Sequence, residues 1–179
     1  MPRREIRITG YGGQGVIMTG MIFGKAAAIY DDLHSTMTQS FGPEARGSAC
    51  ASALIVDDEF VAYPYLRETD VLIALSREGY EKYAGELCEG GTLIYDEDLV
   101  QPGDELAKGV KAHPVPAVRF AEELGKRIVQ NIVVVGFATA ATGIVNKEAA
   151  KKAVESLVPP ATIELNMQAF EKGYEYYSS

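Results

Sequence analysis

The sequence predicts an α/β fold: a three-layer sandwich with a largely parallel sheet and one β-hairpin. Three observations carry this. Strand-like and helix-like segments alternate along most of the chain, which is how a parallel sheet flanked by helices is built. Residues 71–75 are continuously apolar, as a strand buried on both faces requires. A β-like run at residues 6–9 meets three glycines spaced G-x-G-x-x-G, at Gly10, Gly12 and Gly15, and an apolar helical pattern follows at once.

That first βα unit is Rossmann-like. Strand, glycine turn and helix are the context a dinucleotide fingerprint needs. Glycine permits the tight turn and close ligand approach, while the new helix offers free N–H groups and the positive end of its dipole. The helix over residues 16–30 carries two apolar stripes, Ile17, Met21, Gly24, Ala28 and Val16, Gly20, Phe23, Ala27, with only Lys25 charged. Such a helix is buried on nearly all sides, by the sheet and a further element or by a partner chain. What is missing also matters. A nicotinamide site needs an acidic residue about 20 residues on, at the end of the second strand. Asp31 and Asp32 have that offset but follow the helix directly, so the fingerprint argues for the fold more than for NAD. The competing reading is a glycine turn needed only for helix-on-sheet packing.

Further along, residues 35–47 are polar and glycine-containing, with a Gly42-Pro43 turn, and read as a loop. Residues 51–56 read as a strand, 57–59 as a turn and 60–63 as its hairpin return. After the buried strand comes a helix at about 77–87, then strands at 92–95 and 110–113 and a helix at about 117–127. The stretch 131–142 fits a strand or a helix; its length, alanines and glycines favour a buried helix. Residues 147–157 form an amphipathic helix, Pro159-Pro160 breaks the chain, and residues 162–177 form a last helix with Ile163, Met167, Phe170, Tyr174 and Tyr177 on one face.

The length of 179 residues suits one domain, 1–179. A net charge of −8 argues against a nucleic-acid partner, though not against a local site for a small anion. Cys50 and Cys88 have neither CxxC spacing nor nearby histidines, so no zinc or iron–sulfur site is expected from this chain alone. Cysteine usage fits a reducing, cytoplasmic setting. No membrane is expected either, because the apolar run 131–145 is too short to span a bilayer.

Two segments together resemble a known family. The turn Gly10, Gly12, Gly13, Gln14, Gly15 and the loop Ser40, Phe41, Gly42, Pro43, Glu44, Arg46, Gly47 are similar to the G-x-G-G-Q-G and S-[YF]-G-P-E-x-R-G-G motifs of the gamma subunits of 2-oxoacid:ferredoxin oxidoreductases. Ser48 stands where a second glycine is usual. The resemblance continues through Asn131 and Gly136, and through Asn166, Ala169, Phe170 and Gly173. It implies a complex that oxidatively decarboxylates a 2-oxoacid to an acyl-coenzyme A and passes electrons to ferredoxin. Thiamine diphosphate then belongs to alpha and beta subunits and iron–sulfur clusters to a ferredoxin-like delta subunit, with coenzyme A as co-substrate. This chain would bind none of these cofactors alone and would be inactive when isolated. Among the family's substrates, 2-oxoglutarate, pyruvate, 2-oxoisovalerate and indolepyruvate, the resemblance leans toward 2-oxoglutarate.

The implied cofactor-facing residues are Gly10, Gly12, Gly13, Gln14, Gly15, Gly42, Pro43, Glu44, Arg46 and Gly47, with no catalytic or metal-ligating residue. Arg46 offers a planar fork to a carboxylate or phosphate; the plainer alternative is a solvated loop with a local ion pair. Cys50 reads as a buried structural thiol, and acidic neighbours disfavour a thiolate at Cys88. His34 and His113 lack partners at metal or triad spacing. Tyr174, Tyr176 and Tyr177 read as helix packing or a subunit contact, and Asp96, Glu97 and Asp98 as a solvated turn. Two other functions compete: a stand-alone NAD(P)-dependent oxidoreductase, and a nucleotide-binding regulatory module without chemistry.

Overall fold

The computed structural model describes residues 3–41, 49–103 and 106–178. Its strands are β1 (Arg4–Tyr11), β2 (His34–Phe41), β3 (Ala49–Asp57), β4 (Thr69–Ala74), β5 (Leu87–Asp96) and β6 (Lys111–Val115). Its helices are α1 (Val16–Lys25), α2 (Arg77–Tyr83), α3 (Ala117–Glu123), α4 (Gln130–Thr142), α5 (Lys147–Leu157) and α6 (Ile163–Ser178). The strands form one sheet in the order β2-β3-β1-β4-β5-β6. β1, β4, β5 and β6 run parallel, and β3 is antiparallel to both β1 and β2. The α/β class, the largely parallel sheet and the antiparallel addition agree with expectation.

Period-two alternation sorts the strands into two faces. Ile6, Ile8, Leu54, Val56, Val71, Ile73 and Ile94 belong to the large core that includes residues of α1, α3, α4, α5 and α6. Leu72, Ala74, Leu93 and Ala51 turn to the other face, under Tyr80 and Tyr83 of the short α2. The sandwich is therefore lopsided, with five helices on one face and one on the other.

The hairpin forms from a different pair of strands than the sequence suggests. β3 pairs along its length with β2, His34 opposite Asp57 and Phe41 opposite Cys50, so most of the polar stretch read as a loop is strand. Residues 60–63 form no strand. The reason is geometric: β1 and β2 occupy both edges of β3 and leave no edge for a return. β2 is polar because it is the sheet's edge strand, half solvated along its length, and needs no apolar alternation. Beyond residue 63 the chain is tied down by Glu5, whose Oε2 accepts from the backbone N–H groups of Arg67 and Glu68.

Residues 131–142 lie in helix α4, buried almost all round. α1 extends through a π-helical turn at Ala26–Tyr30. Its stripe Val16, Gly20, Phe23, Ala27 is buried or at the core, whereas Met21 and Ala28 of the other stripe stay exposed. Gly20 lets α1 settle onto the sheet: a Cβ there would stand 2.7 Å from Ser52 Oγ and 2.8 Å from Met37 Sδ. The Asp96 turn corrects the expectation of a solvated loop. Asp96 is buried, and its carboxylate accepts from the N–H groups of Val118 and Asp98, capping α3 whose N-cap, Pro116, has no capping side chain. Burial pushes this carboxyl above its ordinary pKa.

Candidate ligand cleft at the glycine turn

The glycine turn is held from behind. Gln14 Oε1 accepts from Tyr11 N–H at 2.6 Å, and its Nε2 donates to the Leu75 carbonyl at 2.7 Å. One side chain thus ties the turn to the end of β4. Gly10 sits under this clamp, where a Cβ would meet Gln14 Oε1 at 2.5 Å and Val16 at 2.9 Å. Gly10 and Gln14 therefore build the turn, while Gly12, Gly13 and Gly15 line the cleft in front of it. Left-handed backbone falls on Gly13 (φ +96) and on Gly15 (φ +75), the N-cap of α1.

The cleft has a volume of about 930 Å³, within the range of small-molecule sites. Its walls come from four places: the turn and first residues of α1, the facing ends of β2 and β3 at Phe41 and Cys50, the segment from Lys126 to the first turn of α4, and the 157–166 corner leading into α6. They are mostly apolar, with Ile17, Ile128, Val158 and Leu165 prominent. Asn131 and Asn166 add two buried carboxamides. Asn166 Nδ2 donates to the Thr162 carbonyl at 2.8 Å. Asn131 crowds Gly15 so closely that a Cβ on the glycine would stand 2.6 Å from its side chain. The two asparagines sit in segments that carry the family resemblance, but spacing alone did not mark them as site residues. They meet the turn only through the packing of α4 and α6.

Gly42, Pro43, Glu44, Arg46 and Gly47 lie outside the described residues; the flanking Phe41 and Ala49 are in the cleft wall. Cys50 is buried in the cleft wall, and burial raises its pKa. The Cys88 thiol is likewise pushed up, by burial first and then by the Asp70 and Glu68 charges. His34 packs edge-on to Phe60. His113 packs edge-on to Tyr177, and burial, then Lys111, pushes its pKa down. Tyr176 and Tyr177 pack against Phe120 and Phe137. Asp31 accepts from the Asn146 N–H at the start of α5, and Asp32 precedes β2 rather than ending it. β3 separates β2 from β1, so the paired strands of a nicotinamide site are not assembled. Among the described residues no group of three or more His, Cys, Asp or Glu could hold a metal ion. No helix among them is long and apolar enough to cross a membrane.

Residues 5–176 match the family model for pyruvate ferredoxin/flavodoxin oxidoreductase. The 2-oxoglutarate synthase subunit KorC of Methanocaldococcus jannaschii is 45% identical over 174 residues, 97% of this chain and 93% of its own. The keto/oxoacid ferredoxin oxidoreductase gamma subunit of Geobacter sulfurreducens superposes with a TM-score of 0.83 at 41% identity, covering 98% of both chains. A 2-oxoglutarate:ferredoxin oxidoreductase from Magnetococcus marinus, solved with 2-oxoglutarate, coenzyme A and succinyl-CoA bound, shares the fold. Its TM-score is 0.89 at 24% identity, over 99% of this chain and 31% of that one. The near full-length relatives are subunits of 2-oxoacid oxidoreductases, one of them a gamma subunit, and the chain belongs to the pyruvate ferredoxin/flavodoxin oxidoreductase family.

Proposed function

We propose that this chain is the gamma subunit of a cytoplasmic 2-oxoglutarate:ferredoxin oxidoreductase that converts 2-oxoglutarate and coenzyme A to succinyl-coenzyme A, with electrons delivered to ferredoxin. The observation that carries the substrate is the near full-length match to a 2-oxoglutarate synthase subunit. Thiamine diphosphate belongs to the alpha and beta partners and the iron–sulfur clusters to a ferredoxin-like partner. The whole chain, 1–179, acts as one domain that completes the complex. Its cleft at Gly12, Gly13 and Gly15 faces coenzyme A, and the loop of Gly42, Pro43, Glu44, Arg46 and Gly47 contacts coenzyme A or a neighbouring subunit. The cleft's size, apolar walls and uncapped helix start support a phosphate-bearing ligand with an apolar body.

The test is reconstitution. Co-expressed with alpha, beta and ferredoxin-like subunits from the same source, the chain should restore coenzyme A-dependent ferredoxin reduction with 2-oxoglutarate, in preference to pyruvate or 2-oxoisovalerate. Full activity without the chain, or preference for another 2-oxoacid, would overturn the assignment. Arg46→Ala should leave the subunit folded and raise either the KM for coenzyme A or the dissociation constant of the complex by roughly tenfold to a hundredfold, as loss of a charge-assisted contact does.

A further inference from the structure

The chain carries 25 acidic residues against 17 basic ones, yet among the described residues no Asp or Glu lines the cleft and Lys126 is its single charge. One helix begins at its floor with free N–H groups. α1, of 10 residues, runs from Val16 with Gly15 as its N-cap, whereas α4 continues a 3-10 turn at Arg127–Val129, and the Val129 and Gln130 N–H groups donate to the Lys126 and Arg127 carbonyls. The N-cap of α1 has no side-chain hydrogen bond and its first turn has no acidic residue. Gln14 cannot supply a cap, since both ends of its amide are engaged with Tyr11 and Leu75. The first N–H groups of a helix have no partner within it, and they carry the positive end of the macrodipole.

A second observation is independent of the helix ends. Asn131 is 6% exposed, lines the cleft and lies against Gly15, yet its amide makes no hydrogen bond among the described residues. Its amide therefore has hydrogen-bonding capacity to spare toward the cleft, beside the uncapped start of α1, and is placed to serve a ligand.

We infer that the Gly15–Asn131 floor of the cleft is a phosphoryl-binding site, with the N–H groups at the start of α1 and the Asn131 amide as donors and the apolar wall receiving the rest of the ligand. This rests on the reading of the cleft as the coenzyme A-facing surface and narrows it to one chemical group and one positioning side chain. Phosphate suits the donors better than a lone carboxylate, because several N–H groups converge where more than two acceptor oxygens are needed.

Asn131→Asp separates binding from folding. A carboxylate there occupies the anion's place at the start of α1, so it should leave stability unchanged or higher while repelling a phosphoryl group. With the full chain and inorganic pyrophosphate as probe, wild type should show saturable binding by calorimetry and a rise in Tm. Asn131→Asp should lose both, and Asn131→Ala should bind at least tenfold more weakly. Absence of pyrophosphate binding to wild type, or equal binding to Asn131→Asp, would overturn the site whatever the complex does. In the reconstituted complex, Asn131→Asp should raise the KM for coenzyme A. An unchanged KM beside lost pyrophosphate binding keeps the phosphoryl site and removes only its link to coenzyme A.

Discussion

Gly136 of α4 and Gly173 of α6 face each other's helix backbone across one crossing. A Cβ on Gly136 would stand 2.0 Å from the Phe170 carbonyl oxygen, and a Cβ on Gly173 would stand 2.0 Å from the Val133 carbonyl oxygen. The obstacle is backbone in both cases, so no rotamer change relieves it. This close approach lets α6 lie directly on α4, which in turn sets Asn166 and Asn131 in the same cleft.

Glycine to alanine in an open helix position gains about 0.5–1 kcal/mol. At this crossing the sign reverses. Gly136→Ala and Gly173→Ala should each destabilise by at least about 1–3 kcal/mol, the usual cost of overpacking. Gly85→Ala, where an added Cβ meets nothing within 4 Å, is the control and should be near neutral. Denaturant midpoints for the three variants check this; wild-type stability in either crossing variant would mean the helices separate without cost.

The two left-handed glycines of the turn should differ. Gly13→Ala adds a methyl to open space at φ +96, whereas Gly15→Ala adds one at φ +75 against the Asn131 side chain at 2.6 Å. Backbone strain alone costs about 1–3 kcal/mol, so both should lower Tm. Gly15→Ala should lower it further and should displace Asn131. Equal losses in the two variants would show that Asn131 gives way freely.

Much of this was legible in the sequence because local chemistry decided it. The G-x-G-x-x-G turn, the apolar run into Leu75 and the amphipathic α5 each specify their own element. The edge strand β2 was not legible, since its polar residues from Ser35 to Ser40 carry no alternation and its pairing with β3 depends on a contact between separate segments. The buried role of Asp96 was hidden for the same reason, because Val118, the N–H it caps, lies 22 residues away. The cleft was half legible. Gly12, Gly13 and Gly15 announce a ligand-approach turn, but Asn131 and Asn166 reach it only through the α4–α6 crossing.

The Gln14 clamp gives a third prediction. Gln14→Glu keeps the shape and the acceptor for Tyr11 N–H but sets a carboxylate oxygen against the Leu75 carbonyl. The lost donor and new repulsion should cost about 1–3 kcal/mol and loosen the turn. Hydrogen exchange at Tyr11 and at the start of α1 should quicken in Gln14→Glu and more so in Gln14→Ala. Unaltered exchange in both would show the turn to be self-supporting.

The pH dependence of one ion-pair cluster can be worked out by sign. Glu171 of α6 sits 2.6 Å from Lys147 Nζ and 2.8 Å from Lys151 Nζ of α5, and the Lys147 ammonium lies 4.2 Å from the centre of the Tyr174 ring. Burial alone would push the Glu171 carboxyl up, but the hydrogen bonds from Lys147 and Lys151 outweigh it and hold the pKa below its ordinary value. A depressed carboxylate contributes stability that is fully present above the unfolded pKa and is lost as pH falls through the lower folded value. Glu171→Gln should therefore be less stable than wild type at pH 7, by up to about 1 kcal/mol for a partly exposed pair. The two proteins should converge as pH falls below about 4, where the unfolded carboxyl is protonated. Raising salt at pH 7 should narrow the same gap, because screening weakens exposed pairs most. Tm measured for both proteins across pH 3 to 8 decides it: a constant separation over that range would show that the Glu171 charge contributes nothing, and that Lys147 holds α5 to α6 through the Tyr174 ring alone.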